Sequence, residues 1–324
     1  MRKRCIITIT AIIAAGLVLC LYCVLLRPPK PSPLDFAGVR RITPDGEEWS
    51  HSSGMSWSPD GSRMAVAWSI ASSRTLRPEK GYLYIVGAGG EEPHILTRTR
   101  VDGLVSYPAW SPTSEQVAYT SQREPGGIWL ADVNDERDPI FLGEGQQCAW
   151  APDGERIAIT YILSTTFTIY ILNVRTGERI EVFHVSEEGR YPRGGNIAWS
   201  PVDDRLAFSF KQYDYYNPDE LCGIYEMDLV SGEIRLLTES RQGASPSWSP
   251  DGTMLAFNGV ANDKYTLVIM QLRDGVMIAP LDMLLWGGAV RWSPDGNEIA
   301  FQEASGIIYA LDVAVALGTS QDPP

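Results

Sequence analysis

Trp57-Ser58-Pro59-Asp60-Gly61 is one of six copies of a phrase whose reading decides the fold. It recurs intact at residues 248–252 and 292–296, and in worn form from Trp110 (WSPTS), Trp150 (WAPDG) and Trp199 (WSPVD). The six tryptophans stand 40 to 53 residues apart. Each has a proline at +2 (Pro59, Pro112, Pro152, Pro201, Pro250, Pro294) and an alanine at +8 (Ala65, Ala118, Ala158, Ala207, Ala256, Ala300). Large apolar residues flank every one of those alanines. A repeat of this period marks a solenoid, a propeller or an array.

Working outward from the phrase, Ser-Pro-Asp-Gly is turn chemistry. Proline fixes φ, aspartate bonds its own backbone, and glycine accepts a positive φ. The turn joins a strand ending at Trp to a strand carrying aliphatic-Ala-aliphatic. A third strand follows at Tyr82–Val86, Thr168–Leu172, Thr266–Met270 and Ile307–Leu311. A fourth follows at His94–Thr97, Ile140–Leu142, Ile180–Phe183, Ile234–Thr238 and Met277–Leu281. Four strands per unit, apolar on both faces, are what a propeller blade needs to pack between two neighbours. Helical periodicity is nearly absent from residues 38–313, so the fold class is all-β.

The sixth unit has no fourth strand after Leu311-Asp312, whereas Val39–Thr43 is a strand without a unit. That N-terminal strand is expected to complete the sixth blade and close the ring, which removes exposed sheet edges. The repeats resemble those of the TolB-like six-bladed β-propellers, which carry the same W-S-P-D-G…I-A-F phrase and close by mixing N- and C-terminal strands. The resemblance covers roughly residues 38–313. It implies a six-bladed propeller and protein–protein contact. The phrase itself is structural, and many activities share the scaffold.

Ahead of the propeller, Ile6–Leu26 is an uncharged run of 21 residues. That is long enough to cross a hydrocarbon core of about 30 Å as a helix. Arg2, Lys3 and Arg4 precede it, which favours a cytoplasmic N-terminus and a propeller delivered across the membrane. The expected organisation is a cytoplasmic tip and signal anchor over 1–26, a Pro-rich spacer over 27–37, the propeller over 38–313 and a disordered tail over 314–324. A cleaved signal peptide is the alternative, but its apolar stretch is usually shorter and ends in small residues.

The whole chain carries a net charge of −13, and all five bases of the first 30 residues lie beside the apolar run. The remainder is therefore strongly acidic, which argues against nucleic acid as a partner. Cys148 and Cys222 are the cysteines of the propeller, in strands of neighbouring blades, and buried free thiols are the expectation over a disulfide.

Catalytic and metal chemistry in propellers draws on the innermost strands, here the four residues before each Trp: SGMS, SYPA, QQCA, GNIA, ASPS and GAVR. None contains Asp, Glu or His, so a cation held by axial carboxylates lacks its ligands, and no cofactor is expected. Of three histidines, His94 and His184 fall on outer strands and His51 in a loop. Neither a nucleophile elbow nor a phosphate loop is present. The repeat tryptophans Trp57, Trp110, Trp150, Trp199, Trp248 and Trp292 read as structural. Recognition residues are sought instead in loops on one face, where Tyr, Trp and Arg combine contact area with a polar handle. The candidates are Trp49, Trp286, the loop Ser186–Gly195 with Arg190, Tyr191 and Arg193, and the insertion Phe210–Cys222 with Tyr213, Tyr215 and Tyr216.

The expectation is a membrane-anchored, extracytoplasmic, non-catalytic module recognising a protein or cell-envelope component. The alternatives are a propeller enzyme of polysaccharide lyase or hydrolase type, or an assembly subunit of a cell-envelope membrane complex.

Overall fold

A computed structural model describes residue 34 and residues 36–318, apart from 44–51, 72–77, 92, 97–100, 103, 136, 187–189, 215–221, 239–243, 262–263, 282–287 and 304. The apolar segment 6–26, Trp49, Trp286, Tyr215 and Tyr216 lie outside the described residues. No helix among the described residues is long and apolar enough to cross a membrane.

Six antiparallel sheets follow one another along the chain. β1 (Val39–Arg41) stands apart at the start. Blade one is β2 (Ser52–Trp57), β3 (Arg63–Ala71), β4 (Pro78–Gly87) and β5 (His94–Ile95), with β6 (Val101–Asp102) pairing along β4 as a fifth strand the repeat does not announce. Blade two is β7 (Val105–Trp110), β8 (Gln116–Ser121), β9 (Gly127–Asp132) and β10 (Ile140–Gly143). Blade three is β11 (Gln147–Trp150), β12 (Arg156–Leu163), β13 (Thr166–Asn173) and β14 (Arg179–Ser186). Blade four is β15 (Arg190–Trp199), β16 (Arg205–Asp214), β17 (Cys222–Asp228) and β18 (Ile234–Leu236). Blade five is β19 (Ala244–Trp248), β20 (Met254–Ala261), β21 (Lys264–Gln271) and β22 (Met277–Ile278). Blade six is β23 (Val290–Trp292), β24 (Glu298–Gln302) and β25 (Ile308–Asp312), completed by β1 in the register Val39↔Leu311 and Arg41↔Tyr309. The ring therefore closes as the unpaired strands require, with Arg40 forking onto Glu298 at 2.6 and 2.7 Å to clamp it.

The alanine at +8 explains how blades stack. All six are fully buried. Each shares one buried cluster with the Trp of the next blade and the large residues flanking that blade's own alanine. Ala158 of blade three lies with Trp199, Leu206 and Phe208 of blade four. Ala256 lies with Trp292, Ile299 and Phe301, and Ala300 of blade six closes the circle against Trp57, Met64 and Val66 of blade one. A methyl fits there because the neighbour supplies the bulk, and close packing leaves no room for more.

The turns behave as their chemistry demands. In the intact copies, Asp60, Asp251 and Asp295 each accept from the serine two residues earlier, at 2.5 to 2.6 Å. They also accept from the backbone N–H two residues later. These bonds, the Ser58 hydroxyl foremost, hold the Asp60 carboxyl down at about 2. Gly61, Gly252 and Gly296 stand at φ near +70°, the conformation for which the phrase reserves glycine.

The tail departs from expectation. Its first residues form a short helix, α1 (Val313–Ala316), capped by Asp312, whose Oδ1 accepts from Val315 N–H at 3.1 Å. Val313 is buried, and Ala316 and Leu317 pack on the cluster between blades five and six.

Candidate functional site at the channel mouth

The six inner strands converge on the axis, and the residue just before each Trp forms a ring there: Ser56, Ala109, Ala149, Ala198, Ser247 and Arg291. All six line one cavity of about 410 Å³. Its walls are the phrase itself: Trp110, Trp150 and Trp199, with Pro112, Pro152 and Pro201. An adjoining cavity of about 260 Å³ shares Ser56, Trp110, Pro112 and Arg291, and adds Trp57, Pro59, Trp292 and Pro294. The channel thus opens on the face made by the Ser-Pro-Asp-Gly turns.

The repeat tryptophans, expected to be structural, are each no more than 8% exposed, and the edges of Trp57, Trp110, Trp150, Trp199 and Trp292 also form this mouth. Trp57, Trp150 and Trp248 donate their indole N–H groups to the carbonyls of ring residues Arg291, Ala109 and Ala198 in the preceding blade, at 3.0 to 3.3 Å. The indole N–H groups of Trp110 and Trp199 are buried without a hydrogen-bond acceptor among the described residues. Arginines of the preceding blade roof several of these rings. Arg63 lies 5.1 Å over Trp110, Arg156 5.0 Å over Trp199 and Arg205 5.1 Å over Trp248. Arg63 also reaches Glu115, and Arg156 reaches Asp204, both at 2.8 Å. These latches cross from blade to blade at the rim of the mouth.

Backbone geometry tightens towards the axis. Gly54, Tyr107 and Ser245, each three residues before a repeat Trp, have positive φ at bulges in β2, β7 and β19. At Gly54 a Cβ would stand 3.1 Å from the Tyr107 backbone, so the closeness of two inner strands, as well as φ, calls for glycine. Tyr107 and Ser245 adopt the same region without that freedom, a cost of about 1–3 kcal/mol each that the surrounding sheet sustains.

Arg291 is the one ring residue with a charge. Its Nη1 donates to Val290 O at 2.8 Å and lies 3.5 Å from Ser245 Oγ. It forms no ion pair among the described residues. Protein crowds it on every side but the lumen, and this burial pushes the guanidinium down to about 10, offset in part by Cys148 and Tyr107. The Cys148 thiol beside it is free and buried, and desolvation pushes it up to about 12. Among the described residues no three His, Cys, Asp or Glu side chains gather as metal ligands. His184, on β14, is bonded to Thr168 at 3.2 Å, and His94 is exposed on β5.

The residues expected to recognise a partner are placed elsewhere and differently. Arg190, Tyr191 and Arg193 do not lie in a loop Ser186–Gly195: they begin strand β15. Tyr213 likewise belongs to β16, so Phe210–Asp214 is strand and not insertion. The register sets Arg190 opposite Asp214, Tyr191 opposite Tyr213 and Arg193 opposite Lys211. Four of the expected residues are thus gathered on one hairpin of two ten-residue strands, at the end away from the turn face. Polar runs such as RYPRGG carry no alternating pattern from which a strand could be read. Arg291 was legible only as the one long side chain at a position otherwise held by Ser and Ala.

No family model matches the chain. An uncharacterized protein of Agrobacterium fabrum is 26% identical over 219 residues, covering 62% of this chain and 67% of that protein. Among solved structures, a putative TolB from Agrobacterium tumefaciens superposes with a TM-score of 0.59 at 19% identity, over 85% of this chain and 96% of that one. TolB from Acinetobacter baumannii gives 0.59 at 17% identity over 78% of this chain and 64% of the other, so the chain spans under two thirds of that TolB. An oligogalacturonate lyase in complex with manganese gives 0.51 at 14% identity, over 85% and 92%. The likeness is one of fold: this is a six-bladed β-propeller, similar in fold to TolB structures.

Proposed function

We propose that this chain is a recognition propeller that binds a protein or cell-envelope component without transforming it. It is held at the membrane by residues 6–26, with the propeller on the extracytoplasmic side. The observation that carries the reading is the make-up of the channel mouth. Indoles, prolines, small side chains and one guanidinium line it, and no carboxylate or imidazole among the described residues does. Aromatic and Arg groups around a concavity supply contact area and orientation, the properties of a binding anchor. Acid–base or metal chemistry needs proton carriers or ligands that this lining does not offer. The β15–β16 hairpin offers a second contact surface, through Arg190, Tyr191, Arg193 and Tyr213. TolB-like neighbours are compatible with protein contact. The lyase neighbour motivates the rival reading of a metal-dependent enzyme acting on a polysaccharide.

Two measurements on the full chain test this. Extraction in mild detergent should co-purify a stoichiometric partner, and elemental analysis should find less than about 0.1 equivalent of transition metal, far below the full occupancy of a dedicated site. A tightly held metal together with turnover of polygalacturonate would replace recognition with catalysis. A reporter fused after Pro324 should read as extracytoplasmic, and a cytoplasmic reading would remove the anchor orientation.

A further inference from the structure

Five of the six ring positions at the axis hold Ser or Ala, and the sixth holds Arg291. A guanidinium in such a place is costly to bury unless something offsets its charge, and no carboxylate among the described residues does so. The surroundings are arranged in one sense only. Nη1 is used by the Val290 carbonyl at 2.8 Å, while Nε and Nη2 have no hydrogen-bond partner among the described residues. On either side in the ring stand Ser247 and Ser56. Ser247 Oγ accepts from Trp292 N–H and Ser56 Oγ from Trp110 N–H, both at 2.9 Å. Each hydroxyl is thereby fixed as an acceptor towards the backbone, and its own proton has no acceptor among the described residues. The neighbouring thiol, Cys148, is held protonated. Arg291, Ser56, Ser247 and Cys148 thus each retain a donor proton with no acceptor among the described residues.

We infer that the channel mouth is a binding site for a single carboxylate carried on an apolar body, with Arg291 as its fork and Ser56 and Ser247 as flanking donors. This deepens the recognition reading, on which it rests, by naming the ligand chemistry of the same mouth. One guanidinium matches one negative charge, and two neighbouring N–H groups match the two oxygens of a planar carboxylate. The tryptophan and proline walls above the ring suit an apolar body. The rim carries Asp60, Asp153, Asp203, Asp204, Asp251 and Asp295 against Arg63, Arg156 and Arg205, a net negative charge, so a ligand of higher negative charge meets more repulsion on its way in. Phosphate is disfavoured on that ground. The carboxylate has two possible sources, a free small acid or the C-terminus of a peptide segment.

Calorimetry on the purified full chain distinguishes these. Phenylacetate should bind, while phenylacetamide, its neutral counterpart, and inorganic phosphate should bind at least about ten-fold more weakly. A peptide ending in a free Phe carboxylate that binds about ten-fold tighter than phenylacetate assigns the site to chain termini, and a peptide no tighter than phenylacetate assigns it to free acids. Arg291→Met should abolish phenylacetate binding, Arg291→Lys should leave a reduced response, and Ser247→Ala should weaken binding about five-fold. If Arg291→Met does not fold, the wild-type acid–amide comparison decides alone. Equal binding of phenylacetate and phenylacetamide, or no binding of any carboxylate, overturns the inference. In that outcome a co-purified partner would still stand, so the recognition reading fails or survives separately.

Discussion

The channel mouth and the β15–β16 hairpin sit at opposite ends of the same strand. β15 runs ten residues from Arg190 to Trp199, about 30 Å of extended chain, so no small ligand touches both ends. At the Trp199 end every side chain is fixed by a neighbouring blade, through the Ala158 cluster, the Arg156 roof and the ring beneath. At the Arg190 end the strand is paired with β16, Arg190 opposite Asp214 and Tyr191 opposite Tyr213. A composition rich in Tyr and Arg drew attention to the second region. A fixed geometry with an unanswered charge distinguishes the first. The lesson is that a repeat makes its own deviations visible: Arg291 stands where the other five copies hold Ser or Ala.

That contrast can be broken from the largest effect downward. Deleting residues 36–43 removes β1, the buried Ile42 and the Arg40–Glu298 clamp, and reopens the ring. The expected loss is about 5 kcal/mol, a fall in melting temperature of roughly 10–20 °C. The channel mouth should be lost with the fold, because the ring positions exist only in a closed disc. A melting temperature within about 2 °C of wild type would show that closure does not hold the mouth together.

Ala158→Leu is the sharper version. It inserts bulk into the interface between blades three and four, where Trp199, Leu206 and Phe208 already fill the space. Overpacking should cost about 1–3 kcal/mol, read in chemical denaturation at constant m-value. A neutral result would mean that the mouth has slack at this interface.

The smallest effect is at a turn. Hydrogen bonds from Ser58, then Ser62, lower the Asp60 carboxyl from 3.8 to about 2. A lowered native pKa means the contribution is fully present above pH 4 and is lost as pH falls towards 2. Asp60→Asn should therefore melt slightly below wild type at pH 7, and the two curves should converge as pH falls to about 2. A difference that persists unchanged across that window would take the aspartate out of the account.

Much of the fold was legible because its determinants repeat. Six copies of Trp, Pro and Ala located the inner and second strands, and the unmatched Val39–Thr43 gave away the closure. What was not legible lacks a repeat. β6 pairs along β4 through only Val101 and Asp102, and the stretch Arg190–Gly194 carries no alternating apolar pattern in its sequence. The candidate site followed the same rule. The absence of Asp, Glu and His from the ring positions was readable, but that Arg291 meets no carboxylate depends on which side chains the closed ring brings round to it.

The most direct test of the central claim, that recognition occurs at the channel mouth, is partner capture by Ala198→Phe on the full chain. Ala198 is a ring residue of blade four, and a benzyl group there fills the lumen from the same strand that carries the hairpin. It should be compared with a chain in which the hairpin is shortened by removing Arg190–Arg193 and Lys211–Asp214. The account predicts that Ala198→Phe loses at least about 90% of capture, an effect of a tenfold or greater weakening, in a chain that circular dichroism shows to be folded, while the shortened hairpin keeps most of it. Full capture by a stably folded Ala198→Phe, with loss in the shortened hairpin, would contradict the account and move the site to the other end of β15.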